Sequence, residues 1–274
     1  DLTINAIAKA PDGTLIDPYG GQKDLADRQL RHVSDAFTED PLRILRLAQF
    51  QARLKGHGFM VHDQTTQLCR EMVARGDLDT LSRERVFKEL EKALSAPHPS
   101  EFFAVLASVN ALTLIFQGVE LAKTKNLDGP ATNTPPASRF SQLVLENPAL
   151  DLQGLNKQLA IPKAWLELAT MTRTWAEAFC QVTTLNADAI LAALERGDAR
   201  RKPMRFAQSV HISCQSLIID SAEQAAILGT WQRLVQETAK VTLPETASGL
   251  AGQDIKAMIR AEQLRRIEAT CDRN

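Results

Sequence analysis

The 274 residues carry 32 Lys+Arg against 33 Asp+Glu, a formal charge of -1, which excludes a polybasic carrier but leaves local basic clusters free to meet phosphate. Hydrophobic residues make up 44% and aromatic residues 5%, enough for one large or two small helical domains with real cores and unlike a disordered chain. No apolar run approaches the ~20 residues that span a bilayer, no signal peptide is expected, and Cys69, Cys180, Cys214 and Cys271 form no Cys-x-x-Cys pair. A cytoplasmic protein with plain thiols is expected, rather than a zinc site or a disulfide framework.

Residues 2–8 and 14–17 alternate as two strands around the turn signal Pro11-Asp12-Gly13, so a hairpin is expected. The glycines at 20 and 21 break the strand, 22–30 reads as a short helix, and almost no strand is expected afterwards. Thr38 suits an N-cap, Glu39 and Asp40 place negative charge at the positive end of a helix dipole, and Pro41 is tolerated in a first turn; this helix runs over 39–55 and stops at Gly56 and Gly58. Further helices are expected over 63–75, 82–95 and 99–116, and Val86, Leu90, Ala93 and Leu94 share one face in the second of these. Residues 123–138, with Gly129-Pro130 and Pro135-Pro136, read as a linker or long loop. A second array follows near 139–146, 151–159, 162–182, 186–196, 201–214, 221–240 and 249–269, with Pro244 interrupting before the last helix. No fixed repeat period appears, so a bundle or short superhelix is expected, and the fold is mainly α.

The helix over 39–55 carries two stripes. Leu42, Leu45, Leu47 and Phe50 can face a core, whereas Asp40, Arg43, Arg46 and Gln49 follow one another at i,i+3. A carboxylate only accepts hydrogen bonds and a guanidinium only donates them, so Asp40 with Arg43 would match the Watson-Crick edges of cytosine and adenine and mispair with uracil and guanine. On spacing alone the same two residues read first as an ordinary i,i+3 helix-start pair worth a few tenths of a kcal/mol.

Five short segments bear on that choice: Asp-Leu-Thr-Ile-Asn-Ala at 1–6, Ile-Asp-Pro-Tyr-Gly-Gly-Gln-Lys-Asp-Leu at 16–25, Leu-Arg-His at 30–32, Glu-Asp-Pro-Leu-Arg-Ile-Leu-Arg at 39–46 and Glu-Arg-Val-Phe-Lys-Glu-Leu at 84–90. In order and spacing, over roughly residues 1–116, they resemble the class II tRNA nucleotidyltransferases, the CCA-adding enzymes and bacterial poly(A) polymerases. The resemblance implies a helical neck, body and tail preceded by a short β-hairpin remnant of an α/β nucleotidyltransferase head. The divisions are then 1–30 for the end of the head and its joint, 31–122 for the neck, and 139–274 for an RNA-binding body and tail. It implies that Asp1 and Asn5 end a ribose-binding motif, that Asp17, Gly20, Gly21 and Asp24 form the joint, and that Asp40 and Arg43 select CTP or ATP. Arg46 would help to hold base or phosphate, and Glu84 and Arg85 would brace the selecting helix. The family often has another arginine where Gln49 stands, so that contact is expected to be weaker here or supplied elsewhere.

Such an enzyme adds CTP, CTP and ATP to the 3' end of tRNA without a nucleic-acid template, using Mg2+ ions held by carboxylates. In the family those carboxylates lie upstream of the motif containing Asp1, and the chain begins at Asp1 rather than Met, so a piece of a longer protein, inactive alone, is expected. Asp77-Leu-Asp79 spells a metal motif but follows Gly76 in a polar connection with no strand beside it. His62-Asp63 spells another, but Asp63 reads better as a helix N-cap. His32, His57, His98 and His211 show no ligand spacing, and Trp165, Trp175 and Trp231 fall in helical patterns as core. Arg196, Arg200, Arg201, Lys202 and Arg205 cluster as the best phosphate contact in the second array, against a solvated face as the plain alternative. A poly(A) polymerase is the nearest rival, although residues 265–274 lack a long Lys/Arg-rich extension. An A-adding enzyme and a non-catalytic helical RNA-binding module are the others.

Overall fold

The computed structural model describes residues 1–130, 134–242 and 251–272. Pro244 lies outside them, as do residues 131–133 of the expected linker. The hairpin forms from β1 (Ala8–Lys9) and β2 (Leu15–Ile16), antiparallel with Ala8 opposite Ile16. Its turn is closed by the Asp12 carboxylate, which accepts the Thr14 amide at 2.9 Å. The strand expected over 2–8 does not form. Leu2 and the next residue, Thr3, are both buried, which an alternating strand cannot provide, and Thr3–Asn5 coils into a 3-10 turn.

Helix α1 (Gly21–Ala26) is shorter than the expected 22–30, because Arg28 turns the chain at a φ of 56°. Residues Gln29–Leu30 then form β3, parallel to β4 (Met60–Val61). Before α2 (Leu42–Leu54), residues Asp35–Glu39 make a 3-10 turn in which the Thr38 hydroxyl donates back to the Asp35 carbonyl. Thr38 is therefore not the cap. Asp40, extended at φ -132°, takes that role, its carboxylate accepting the Leu42 amide at 3.1 Å. Helix α3 (Asp63–Ala74) corrects a second cap: the His62 ring accepts the Gln64 amide at 3.2 Å, and Asp63 is the first helical residue.

Helix α4 is Arg83–Leu94, and the helix expected over 99–116 divides into α5 (Pro99–Ser108) and α6 (Leu112–Ile115) where Asn110 takes a φ of 61°. Next come α7 (Pro136–Glu146), α8 (Leu152–Leu159), α9 (Lys163–Cys180), α10 (Ala187–Arg196), α11 (Pro203–Ser216), α12 (Ser221–Ala239) and α13 (Gly252–Cys271). No helix among the described residues is long and apolar enough to cross a membrane.

The chain divides into two compact units, Asp1–Leu166 and Glu167–Asn274. In the first, α2 buries Ile44, Leu45, Leu47 and Ala48 against α4 and α5, and Phe102, Phe103 and Phe116 meet edge to face. Helix α7 belongs to this unit through Arg139, 2% exposed, which donates to the carbonyls of Leu94, Ala96 and Gly129 and so satisfies the end of α4. In the second unit Trp231, Phe179 and Phe206 pack edge to face, and the indole donates to the Phe179 carbonyl at 2.8 Å. Trp231 is core as expected, whereas Trp165 and Trp175 are only half-buried; Arg196 lies 5.9 Å over the Trp175 ring.

Candidate nucleotide and RNA interface

The stretch expected to form the joint packs tightly against Thr3. Gly20 sits at φ 72°, a left-handed conformation that glycine adopts freely, and a Cβ on Gly21 would lie 2.2 Å from the Thr3 carbonyl oxygen. Asp17 accepts the amides of Gly21 and Gln22 at 2.7 and 2.8 Å, satisfying the first turn of α1 and drawing its own carboxyl below the usual range, the Gln22 amide most strongly. Asp24 is buried, accepting the Thr3 hydroxyl at 2.7 Å and the Arg31 guanidinium at 3.1 Å. Asp17, Gly20, Gly21 and Asp24 thus act on the same short stretch.

Along α2 the stripe is held from both sides. Arg46 pairs with the Asp1 carboxylate at 2.7 Å, and Asn5 donates to the same carboxylate at 3.4 Å. Asp40 pairs with Arg85, from the first turn of α4, at 2.6 Å. Arg43 donates to the Ala36 carbonyl rather than to Asp40. Asp1, Asn5, Arg46, Asp40, Arg43 and Arg85 are therefore brought together. Glu84 is exposed and makes no side-chain hydrogen bond or ion pair among the described residues, whereas Arg85 reaches Asp40.

Burial works against an ionised Asp40, but the Arg85 hydrogen bond, the Leu42 amide and the charges of Arg85 and Arg43 outweigh it, and its carboxyl lies below the ordinary value. Asp40 is thus a fixed acceptor at neutral pH, with the donor Arg43 one turn along. Beyond Arg46 the stripe runs into a cleft of about 620 Å3 that Gln49 and Arg53 also line. Gln49 is 8% exposed, which the sequence pattern, placing it on the polar face, did not signal.

In the second unit the basic cluster splits. Arg201 pairs with Asp198 at 2.7 Å, and Lys202 and Arg205 both pair with Glu167. Arg196 and Arg200 have no ion pair among the described residues, and Arg200 lines a cleft of about 540 Å3 with Arg201, Glu195 and Gln263. A Mg2+ site does not fit what is present. Among the described residues no three His, Cys, Asp or Glu side chains converge, and Asp77 is bound to Arg75 at 2.8 Å within a 3-10 turn. His32 contacts Thr65 at 2.8 Å and is lowered by burial, a structural role.

Residues 58–122 match the family model described as the probable RNA and SrmB-binding site of polymerase A. The "Multifunctional CCA protein" of Pseudomonas putida is 35% identical over 274 residues, covering 98% of this chain and 74% of the relative. The fold matches that of the CCA-adding enzyme of Bacillus stearothermophilus in complex with CTP (TM-score 0.69, 21% identity, 98% of this chain and 68% of that one). It also matches the Thermotoga maritima CCA-adding enzyme complexed with tRNA (TM-score 0.64, 19% identity, 100% and 71%). This chain belongs to the class II tRNA nucleotidyltransferases, the family of the CCA-adding enzymes.

Proposed function

We propose that this chain supplies the nucleotide-selecting and tRNA-holding part of an enzyme that adds C, C and A to the 3' end of tRNA. The observation that carries it is Asp40, kept ionised by Arg85 at the start of α2, with Arg43 one turn on: an acceptor beside a donor, fixed before any ligand arrives. Asp1, Asn5 and Arg46 would face the sugar and phosphates. Residues 1–30 would end the catalytic head, 31–122 form the neck, and 139–274 the body and tail. There Arg196 and Arg200, which have no acidic partner among the described residues, become the first candidates for RNA phosphate, ahead of Arg201, Lys202 and Arg205.

The metal-dependent step is assigned to carboxylates outside these 274 residues, so the chain alone is expected to bind nucleotide and tRNA without adding C or A, in the cytoplasm. The match over 58–122 to a polymerase A model favours a poly(A) polymerase as the second reading. Equilibrium dialysis of the chain against each of the four ribonucleoside triphosphates tests selection directly. CTP and ATP should bind and UTP and GTP should not; ATP alone would favour the polymerase. Equal binding of all four, unchanged by Asp40→Ala with Arg43→Ala, would leave only a non-catalytic RNA-binding module.

A further inference from the structure

The α2 stripe does not end at the residues assigned to the incoming nucleotide. Past Arg46 it continues through Gln49 and Arg53 along the cleft of about 620 Å3, whose far wall carries Glu91, Lys92 and Ser95 of α4. Three of the polar side chains that line it are Gln49, Arg53 and Lys92. Gln49, though only 8% exposed, makes no side-chain hydrogen bond among the described residues, and its amide atoms keep access to solvent at the cleft they line. Arg53 has no acidic partner among the described residues and is held over the Phe50 ring at 4.8 Å, so its guanidinium is placed rather than neutralised. Lys92 reaches the same cleft from α4, only partly offset by Glu89 at 2.7 Å. An unpartnered amide opening onto a cleft rimmed by cations suits a ligand with a polar edge and a negative charge a few ångströms away.

We propose that this cleft is a subsite for one nucleotide of single-stranded RNA, with its phosphate on Arg53 and Lys92 and its base edge on the Gln49 amide. It rests on the reading of the chain as a tRNA-binding protein, and it adds a place distinct from the Asp40 and Arg43 pair. The two places differ in chemistry. Asp40 with Arg43 presents one acceptor and one donor of fixed kind and so discriminates, whereas an amide carries both a carbonyl acceptor and an NH2 donor and accommodates any base. The cleft therefore accepts RNA by charge and size without reading its sequence.

The test uses the 274-residue chain and a fluorescently labelled single-stranded oligoribonucleotide ending in C-C, with whole tRNA alongside and binding followed against salt. Arg53→Ala, at an exposed position that should not disturb folding, is expected to weaken the oligonucleotide several-fold and to reduce the slope of log K on log salt by about 0.7, the value for one phosphate contact on a single strand. Gln49→Met, similar in volume, should weaken it with the slope unchanged, and replacing the terminal C with U should matter little. Wild-type binding by both variants would overturn the proposal, as would binding of tRNA but not of the oligonucleotide. Displacement of the oligonucleotide by CTP, with CTP weakened equally by Arg53→Ala, would also overturn it, because the anion served would then be the triphosphate. Failure of the wild-type chain to bind either RNA would instead sink the tRNA-binding reading itself, and the subsite with it.

Discussion

Asp40 does two jobs, and Asp40→Asn separates them. One carboxylate oxygen caps α2 by accepting the Leu42 amide; the other holds Arg85 at 2.6 Å. Asparagine keeps an oxygen for the cap, so the cost of about 0.5–2 kcal/mol that alanine would incur is largely avoided. What is lost is an ion pair between side chains 50% and 31% exposed, worth about 0.2–1 kcal/mol after solvent screening. Asp40→Asn should therefore melt within a few degrees of wild type, and Asp40→Ala lower. Selection should respond in the other direction. Asparagine can turn an NH2 donor toward the uracil carbonyl, and a bidentate base contact discriminates by about 1–3 kcal/mol, roughly 5- to 150-fold. Equilibrium dialysis with CTP and UTP, beside thermal melts, should show that preference collapse in Asp40→Asn at near-constant stability. A variant that keeps the wild-type CTP:UTP ratio, or that loses as much stability as Asp40→Ala, would refute the two-role account.

Arg139→Met should destabilise the first unit by about 2–4 kcal/mol in urea titration, because the carbonyls of Leu94, Ala96 and Gly129 lose their donor in a buried setting; a loss below 1 kcal/mol would show that water replaces it. Gly21→Ala places a Cβ 2.2 Å from the Thr3 oxygen and should cost about 1–3 kcal/mol in thermal melts, whereas Gly252→Ala, with open space around it, should cost nothing. Burial opposes ionisation of Glu101, but Lys125 and Lys55 overcome it and hold its carboxyl below the ordinary 4.5. Its stabilisation is therefore complete above the unfolded value and is lost as pH falls through the folded one. The stability gap between wild type and Glu101→Gln should accordingly be widest near neutral pH and close in acid; a gap that widens in acid would reverse the sign.

Helices whose apolar residues recur on one face, such as α2 and α4, were legible because periodicity alone fixes them. The errors fell where long-range partners decide. Nothing local shows that Leu2 and Thr3 both point inward, that Arg28 and Asn110 adopt positive φ, or that His62 rather than Asp63 caps α3. The candidate site divides in the same way. Asp40, Arg43 and Arg46 follow from i,i+3 spacing, and the resemblance supplied Asp1, Asn5 and Arg85. That Glu167 holds both Lys202 and Arg205, from more than thirty residues away, is a tertiary fact, and it alters which arginines remain for RNA. The low exposure of Gln49 is another: on a helical wheel it belongs to the polar stripe, whereas in the fold it lines a cleft shared with Glu91, Lys92 and Ser95 of α4.

The most direct measurement incubates tRNA lacking its last three nucleotides with all four nucleoside triphosphates, Mg2+ and the chain joined to the catalytic head of a CCA-adding relative, then sequences the 3' ends. The account predicts addition of C, C and A followed by a stop. A long run of A, or a single A added only to tRNA already ending in C-C, would contradict it.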